Sequence, residues 1–229
     1  MKRKLSKRFK KLTDTSKDKK PLMIDEAISK VKNNCTTKFD ESIDVSLSLN
    51  LKSKKEKFNL RTVVKLPNGN GKKIRVAVLC EESKISEAKN SGAELFNSET
   101  LVNDITAGKI KFDKLIATPT MMTKMGKLGK ILGPKGLMPN PKLGTVTNNI
   151  QSTVKALKSG QIEIKNDKDG NVGLSIGRKT FSDENLIKNF NAVVDTIIKE
   201  KPTGVKGNFV KRAFITSTMG VSYKLKLNK

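Results

Sequence analysis

Three short stretches of this chain combine residue types that can hold a phosphodiester backbone. The densest runs Gly126-Lys127-Leu128-Gly129-Lys130-Ile131-Leu132-Gly133-Pro134-Lys135-Gly136-Leu137-Met138-Pro139-Asn140-Pro141-Lys142. Glycine lets backbone N–H groups approach a phosphate, and the interleaved Lys127, Lys130 and Lys135 supply charge. The run lacks the Gly-Lys-Ser/Thr ending of a P-loop and the spacing of a dinucleotide fingerprint. Gly133-Pro134-Lys135-Gly136 has the spacing of a GXXG phosphate clamp, but that spacing is common and an ordinary structural loop fits it better. The second stretch, Thr216-Ser217-Thr218-Met219-Gly220, offers hydroxyls to ribose or phosphate oxygens and a glycine open to close approach. A plain strand with a bulge at Gly220 fits the same spacing. The third, Thr36-Thr37-Lys38-Phe39-Asp40-Glu41, sets an aromatic ring that can stack on a base beside a cation, although a lone Phe is more often core.

Other chemistries are closed by composition. With no His there is no Ser-His or Cys-His pair and no imidazole ligand. Cys35 and Cys80 are the only two cysteines and lie far apart, so no zinc spacing exists, and free thiols in a reducing cytosol are expected. No nucleophile, base or metal set suggests an enzyme, and no cofactor motif is present. No apolar run is long enough to span a membrane. What remains is charge: 47 Lys and Arg against 22 Asp and Glu give +25, with a pI of about 10.0. Phosphate contacts dominate nucleic-acid affinity, so this excess is the footprint of a nucleic-acid binder. Only six of the 47 are Arg. An A-rich genome also inflates Lys, and a merely solvated basic face is the blander account. Residues 1–20 carry ten Lys and Arg and no apolar signal core, and read as a basic arm.

The elements that must position these stretches follow from periodicity. Ile24, Ala27, Ile28 and Val31 mark a helix over 22–33, and Ser42 to Lys52 alternates strictly as a half-buried strand. Residues 53–58 read as a charged loop, and 61–66 as a short strand. The turn Pro67-Asn68-Gly69-Asn70-Gly71 changes the texture. Beyond it, Ile74 to Cys80 and Leu115-Ile116-Ala117 are continuous apolar strands of the doubly buried kind. Helices over 83–91 and from a Ser98 cap to Gly108, with a short strand at 93–96, complete a β-then-α alternation. After a helix at 149–158, Gly160 restores alternation. Ile162 and Ile164, an Asp169-Gly170 turn, and Val172, Leu174 and Ile176 read as a hairpin with a loop longer than two residues. Ser182 caps a helix carrying Leu186, Phe190, Val193 and Ile197, stopped by Pro202. A last strand spans about 209–227, interrupted at Gly220. The economical reading is one α+β domain from residues 1–66 and 160–229, interrupted by an α/β domain over 67–159. Two independent end domains are the alternative, though the first segment has few strands to close a core.

Taken together and in order, the motifs resemble the ribosomal protein L1 family. The resemblance rests on Gly133 to Lys142 followed by Gly144-Thr145-Val146-Thr147, on Lys38-Phe39 leading through Glu41 into the alternating strand, on Asn166-Asp167-Lys168, and on Ser217-Thr218-Met219-Gly220. It implies a split α+β sandwich built from both termini and an inserted Rossmann-like domain. It also implies a structural constituent of the large ribosomal subunit, a monomer when free. That constituent binds large-subunit rRNA at the mobile stalk beside exit-site tRNA and, in bacterial members, represses its own operon mRNA. Carried over by position, the RNA face comprises Lys38, Phe39, Glu41, Lys165, Asn166, Lys168, Thr218, Met219 and Gly220; Lys127, Lys130 and Lys135 are candidate second-domain contacts on the strength of the glycine–lysine run alone. The chain departs from the family pattern at Lys52 to Phe58, at Thr62, where Gly is expected after Arg61, and in the hairpin's second strand, which lacks a His-type residue. A KH-like RNA-binding protein outside the ribosome is the alternative. Hinges near Pro67 and Ser159-Gly160 would let the inserted domain swing.

Overall fold

The computed structural model describes residues 5–16, 20–50, 59–202, 205 and 207–227. The divergent charged stretch 51–58 and residues 1–4 and 17–19 of the basic arm lie outside the described residues. The elements are α1 (Lys7–Thr15), α2 (Ile24–Asn33), β1 (Ser42–Leu49), β2 (Arg61–Lys65), β3 (Val76–Leu79), α3 (Ile85–Asn90), α4 (Ser98–Thr106), β4 (Lys114–Ala117), α5 (Met122–Leu132), α6 (Ile150–Lys158), β5 (Gln161–Lys165), β6 (Asn171–Arg178), α7 (Asp183–Lys199), β7 (Val210–Ser217) and β8 (Tyr223–Lys224). They divide into two compact units, Met1–Gly71 with Ile164–Lys229, and Lys72–Glu163.

The first unit is an antiparallel sheet in the order β6-β1-β7-β8. Its centre, β1, comes from the N-terminal segment, and the strands on both sides of it come from the C-terminal segment. Neither segment can close this sheet alone. Ile43, Val45, Leu47 and Leu49 point to the buried face as their alternation requires. Helices α2 and α7 pack against each other and against the sheet, α2 through Ala27, Ile28 and Val31, and α7 through Leu186, Phe190, Val193 and Ile197. Ser182 accepts from the Asn185 amide at 3.3 Å to start α7, with Asp183 and Glu184 favourably placed in the first turn.

Asn189, fully buried on α7, is fully used. Its side chain accepts from the Asn68 amide at 3.1 Å and donates to the carbonyls of Gly69 and Ile176, both at 2.8 Å. The turn after β2 is thereby pinned to the first unit as far as Gly71. There φ is +71° and an added Cβ would lie 2.8 Å from Arg178 Cγ, so a side chain is excluded on both counts. The chain passes into the second unit only at Lys72.

The second unit is a parallel sheet. β3 pairs with β4, and single parallel bridges add Leu95 beside Ala77 and Val146 beside Ala117. Both faces are covered. Ala77, Leu79, Leu115 and Ala117 pack with residues of α4 and α5, while Val76, Val78 and Ile116 pack with residues of α3 and α6. This double burial is why the two strands read as unbroken apolar runs.

Several local expectations change. The arm is helical over Lys7–Thr15, capped by Ser6 Oγ accepting from the Phe9 amide at 3.2 Å and anchored by buried Leu12. The strand at 93–96 reduces to the one bridge at Leu95. Asn97, not Ser98, caps α4, because its Oδ1 reaches the Glu99 amide at 3.2 Å while Ser98 donates to the Cys80 carbonyl. The hairpin strands meet only at the Asn166–Val172 bridge and then part, β5 pairing with β2 and β6 with β1. Gly126 and Gly129 sit inside helix α5, an element the periodicity does not predict.

Candidate nucleic-acid interface

Antiparallel pairing of β1 with β7 sets Ile43 opposite Ser217, so the loop before β1 meets the turn after β7. Ser42 and Thr218 exchange bonds across that junction. The Thr218 amide donates to the Ser42 carbonyl at 3.1 Å, and the Ser42 amide donates to Thr218 Oγ1 at 3.0 Å. The Gly220 amide closes the turn on the Ser217 carbonyl at 3.2 Å, and a Cβ at Gly220 would collide with Ser217 Oγ. At this junction Phe39 is 52% exposed and Met219 47% exposed, with Lys38 and Thr218 also exposed. Two large apolar side chains in water beside a cation can lie on bases or riboses.

Beneath them Glu41 is 0% exposed. One carboxylate oxygen accepts from the Met219 amide at 3.0 Å and the other from the Thr37 hydroxyl at 2.8 Å. Burial alone would raise its pKa, but the bonds from Met219 and Thr37 hold it below the ordinary carboxylate value. Glu41 therefore lies beneath the exposed side chains of the junction. Its charge ties the Thr36–Asp40 loop to the Thr218–Gly220 turn, although the two are remote in sequence. Thr218 is likewise committed. Its hydroxyl accepts the Ser42 amide at the start of β1, although the residue itself stays exposed.

Lys165, Asn166 and Lys168 belong to the other end of β1. Register pairs Ser48 with Asn171, and the Leu49 amide donates to the Gly170 carbonyl at 2.9 Å. Seven residue steps along β1 separate this tip from the Glu41 junction by about 23 Å, so the expected face is two patches. Lys165 and Lys168 are exposed. Asn166 is buried, its Oδ1 accepting from the Leu60 amide at 2.6 Å and its Nδ2 donating to the Asp167 carbonyl at 2.8 Å. The turn itself is shaped by Asp167, whose Oδ1 accepts from the amides of Asn171 at 2.6 Å and Asp169 at 3.0 Å. Those bonds, led by the Asn171 amide, lower its pKa.

In the second unit Lys127 and Lys130 are exposed on α5, and Lys135 is exposed just past its end. The Gly133–Gly136 segment lies at the C-terminus of this helix, where the Leu137 amide donates to the Leu132 carbonyl at 3.1 Å. A helix C-terminus presents carbonyls and negative dipole, the wrong polarity for a phosphate clamp. Among the described residues no group of three or more Cys, Asp or Glu could hold a metal, and both cysteines are free and buried. Among the described residues no helix is long and apolar enough to cross a membrane. The residue that sequence reasoning missed is Arg8 of α1, which reaches the Met219 turn. The signal available was Leu5, Phe9 and Leu12 at helical spacing behind Ser6, hidden by the density of lysines.

The model of the ribosomal protein L1p/L10e family matches residues 31–221, a span holding both the Lys38–Glu41 loop and the Thr218–Gly220 turn. The chain belongs to this family. Among relatives of the L1p/L10e family, the large ribosomal subunit protein uL1 of Pelagibacter ubique (strain HTCC1062) is 56% identical over 225 residues, covering 98% of each chain. The protein of the same name from Rickettsia africae (strain ESF-5) is 45% identical over 201 residues, 88% of this chain and 84% of that one. The large ribosomal subunit protein uL1c of Phaeodactylum tricornutum (strain CCAP 1055/1) is 46% identical over 224 residues, 98% and 97% of the two chains.

Proposed function

We propose that this L1-family protein is a structural component of the large ribosomal subunit that binds its rRNA through the first unit. The observation that carries this reading is the junction at the start of β1. There a buried carboxylate joins two remote segments so that Phe39 and Met219 stand in solvent among basic residues. Single exposed apolar side chains are ordinary, but two brought to one junction by a buried carboxylate, beside Lys38, make a surface that bases or riboses can cover. The second patch, at Lys165 and Lys168, supplies phosphate contacts about one strand length away. The partner is thus a folded RNA recognised by shape, with lysines adding affinity by counterion release. The names of the relatives supply the assembly, the large subunit. Binding rather than catalysis is the whole activity.

In the same proposal the first unit is a split α+β sandwich, the second a Rossmann-like domain, and the protein works in the cytoplasm. The same RNA face binds a similar fold in the messenger of its own operon and represses translation, and the stalk it builds contacts exit-site tRNA. These finer points rest on the family resemblance. The test is binding of transcribed large-subunit rRNA against small-subunit rRNA across a salt series, with co-sedimentation on large subunits from lysate. Selective binding with a log–log slope of about −4.5, as for ~5 neutralised phosphates on the duplex-DNA scale, is expected. Equal binding to both RNAs, or affinity flat with salt, would overturn it.

A further inference from the structure

Charge alone does not explain where one residue of α1 is placed. Arg8 Nη2 donates to the Met219 carbonyl at 2.8 Å, and Nη1 donates to Thr36 Oγ1 at 3.2 Å. The other side of Met219 is held by Glu41, which accepts the Met219 amide with one oxygen and the Thr37 hydroxyl with the other. Two clamps therefore run in parallel. Arg8 ties Thr36 to the carbonyl of Met219, and Glu41 ties Thr37 to its amide. Both cross from the loop before β1 to the turn after β7. The guanidinium is suited to this because its planar fork offers donors to two acceptors at once in fixed geometry, which a single ammonium does not. The helix that delivers it is seated, with Ser6 capping its start and Leu12 buried. Lys7, Lys10 and Lys11 on the same helix are exposed.

We infer that Arg8 is a positioning residue for the RNA face, working through Met219 and Thr36 rather than by contacting phosphate. The inference rests on the RNA-binding reading given above. α1 then has two separable roles. Its lysines add long-range attraction, and its one arginine fixes the shape of the surface that meets RNA. The roles leave different marks, since removing a phosphate contact flattens the salt dependence while removing a positioning contact lowers affinity at every salt concentration.

The experiment compares Arg8→Gln, Arg8→Lys and the double variant Lys10→Gln/Lys11→Gln in the full chain. Affinity for transcribed large-subunit rRNA is measured over a salt series, and hydrogen exchange at Met219 and Gly220 is measured in the free protein. Arg8→Gln should lose about tenfold or more in affinity with a slope parallel to the parent's, and its Met219 amide should exchange faster. Arg8→Lys should recover only part of the loss. The lysine double variant should flatten the slope by about two while leaving exchange unchanged. Parent-like affinity in Arg8→Gln, or a loss accompanied by a slope reduced by about one with unchanged exchange, would overturn the inference. Failure of the parent itself to bind would instead remove the RNA reading and the inference with it, and the exchange rates would still say whether the clamp exists.

Discussion

The two ends of β1 use one device in two environments. At one end Glu41, and at the other Asp167, spends a carboxylate on backbone amides to hold a loop that carries exposed lysine. Glu41 is sealed from water, while Asp167 is in it. The chain carries +25 overall, so a carboxylate near an RNA face works against binding unless it is hidden or indispensable. On the proposed reading, an acidic residue in an RNA-binding motif need not touch RNA. It can be the fastener for the residues that do, and its burial decides how much depends on it.

The largest effect should follow from Glu41→Gln. An amide keeps one oxygen for the Met219 amide and turns its NH2 to the Thr37 hydroxyl, which can donate instead to the Phe39 carbonyl, but both bonds from residue 41 lose the charge that strengthens them. Hydrogen bonds to a charged group contribute about 1.5–3 kcal/mol against about 1 for neutral ones, so the variant should melt lower, and its rRNA affinity should fall by about tenfold as the junction loosens. Unchanged melting would mean that the clamp is incidental. The same carboxylate sets an acid limit. Because its folded pKa is depressed, its contribution is complete above the unfolded value of about 4.3 and decays as pH falls through the folded one. The stability gap between parent and Glu41→Gln should thus be level from pH 8 to 5 and close only in more acidic solution. A gap that closes near neutrality would point to some other group.

Met219→Asp should come next, and it separates surface from support. The side chain is half in solvent and Glu41 holds only its backbone, so the fold should melt like the parent's while an added negative charge on the RNA face costs most of the binding. Lower melting by as much as Glu41→Gln would erase the distinction between the two roles. Thr218→Val should be milder. It removes the hydroxyl that accepts the Ser42 amide at an exposed site where water can substitute, a loss of about 1 kcal/mol in stability with affinity following only as far as the turn shifts. If Thr218→Val instead abolished binding at full stability, the hydroxyl would be reading RNA directly.

Much of this was legible from residue order. The alternation of Ile43, Val45, Leu47 and Leu49, the unbroken runs at 76–79 and 115–117, and the Ser182 cap each express one local rule, and each stands in the structure. The membership of Lys38, Phe39 and the Thr218–Gly220 turn in one patch was readable only through the family resemblance, since nothing local pairs residue 39 with residue 219. What stayed hidden was which member of a motif faces outward. Glu41 and Asn166 look like polar surface residues, and their burial follows from bonds to Met219 and Leu60 that exist only after the sheet closes. Helix α5 was hidden for the opposite reason. Gly126 and Gly129 argue locally against a helix, but Met125, Leu128 and Leu132 bury one face of it against the second unit's sheet, and that packing overrides propensity.

The smallest effect, and the sharpest use of the comparison, is Asp167→Asn, the same carboxylate-to-amide change in the opposite environment. Asparagine keeps Oδ1, which is the atom that accepts both the Asp169 and Asn171 amides, and gives up only the bond from Asn171 Nδ2 to Oδ2 at 3.0 Å. Asn is as suited as Asp to such a turn, so the hairpin should keep its shape and its melting temperature. The change also deletes a negative charge next to Lys168. Phosphate attraction at the tip should therefore rise, strengthening rRNA binding by about twofold at low salt, with the advantage fading as salt screens it. Glu41→Gln and Asp167→Asn are thus expected to move affinity in opposite directions. If Asp167→Asn weakened binding at every salt concentration, the tip would depend on its carboxylate as the junction does, and burial would not be what distinguishes the two ends of β1.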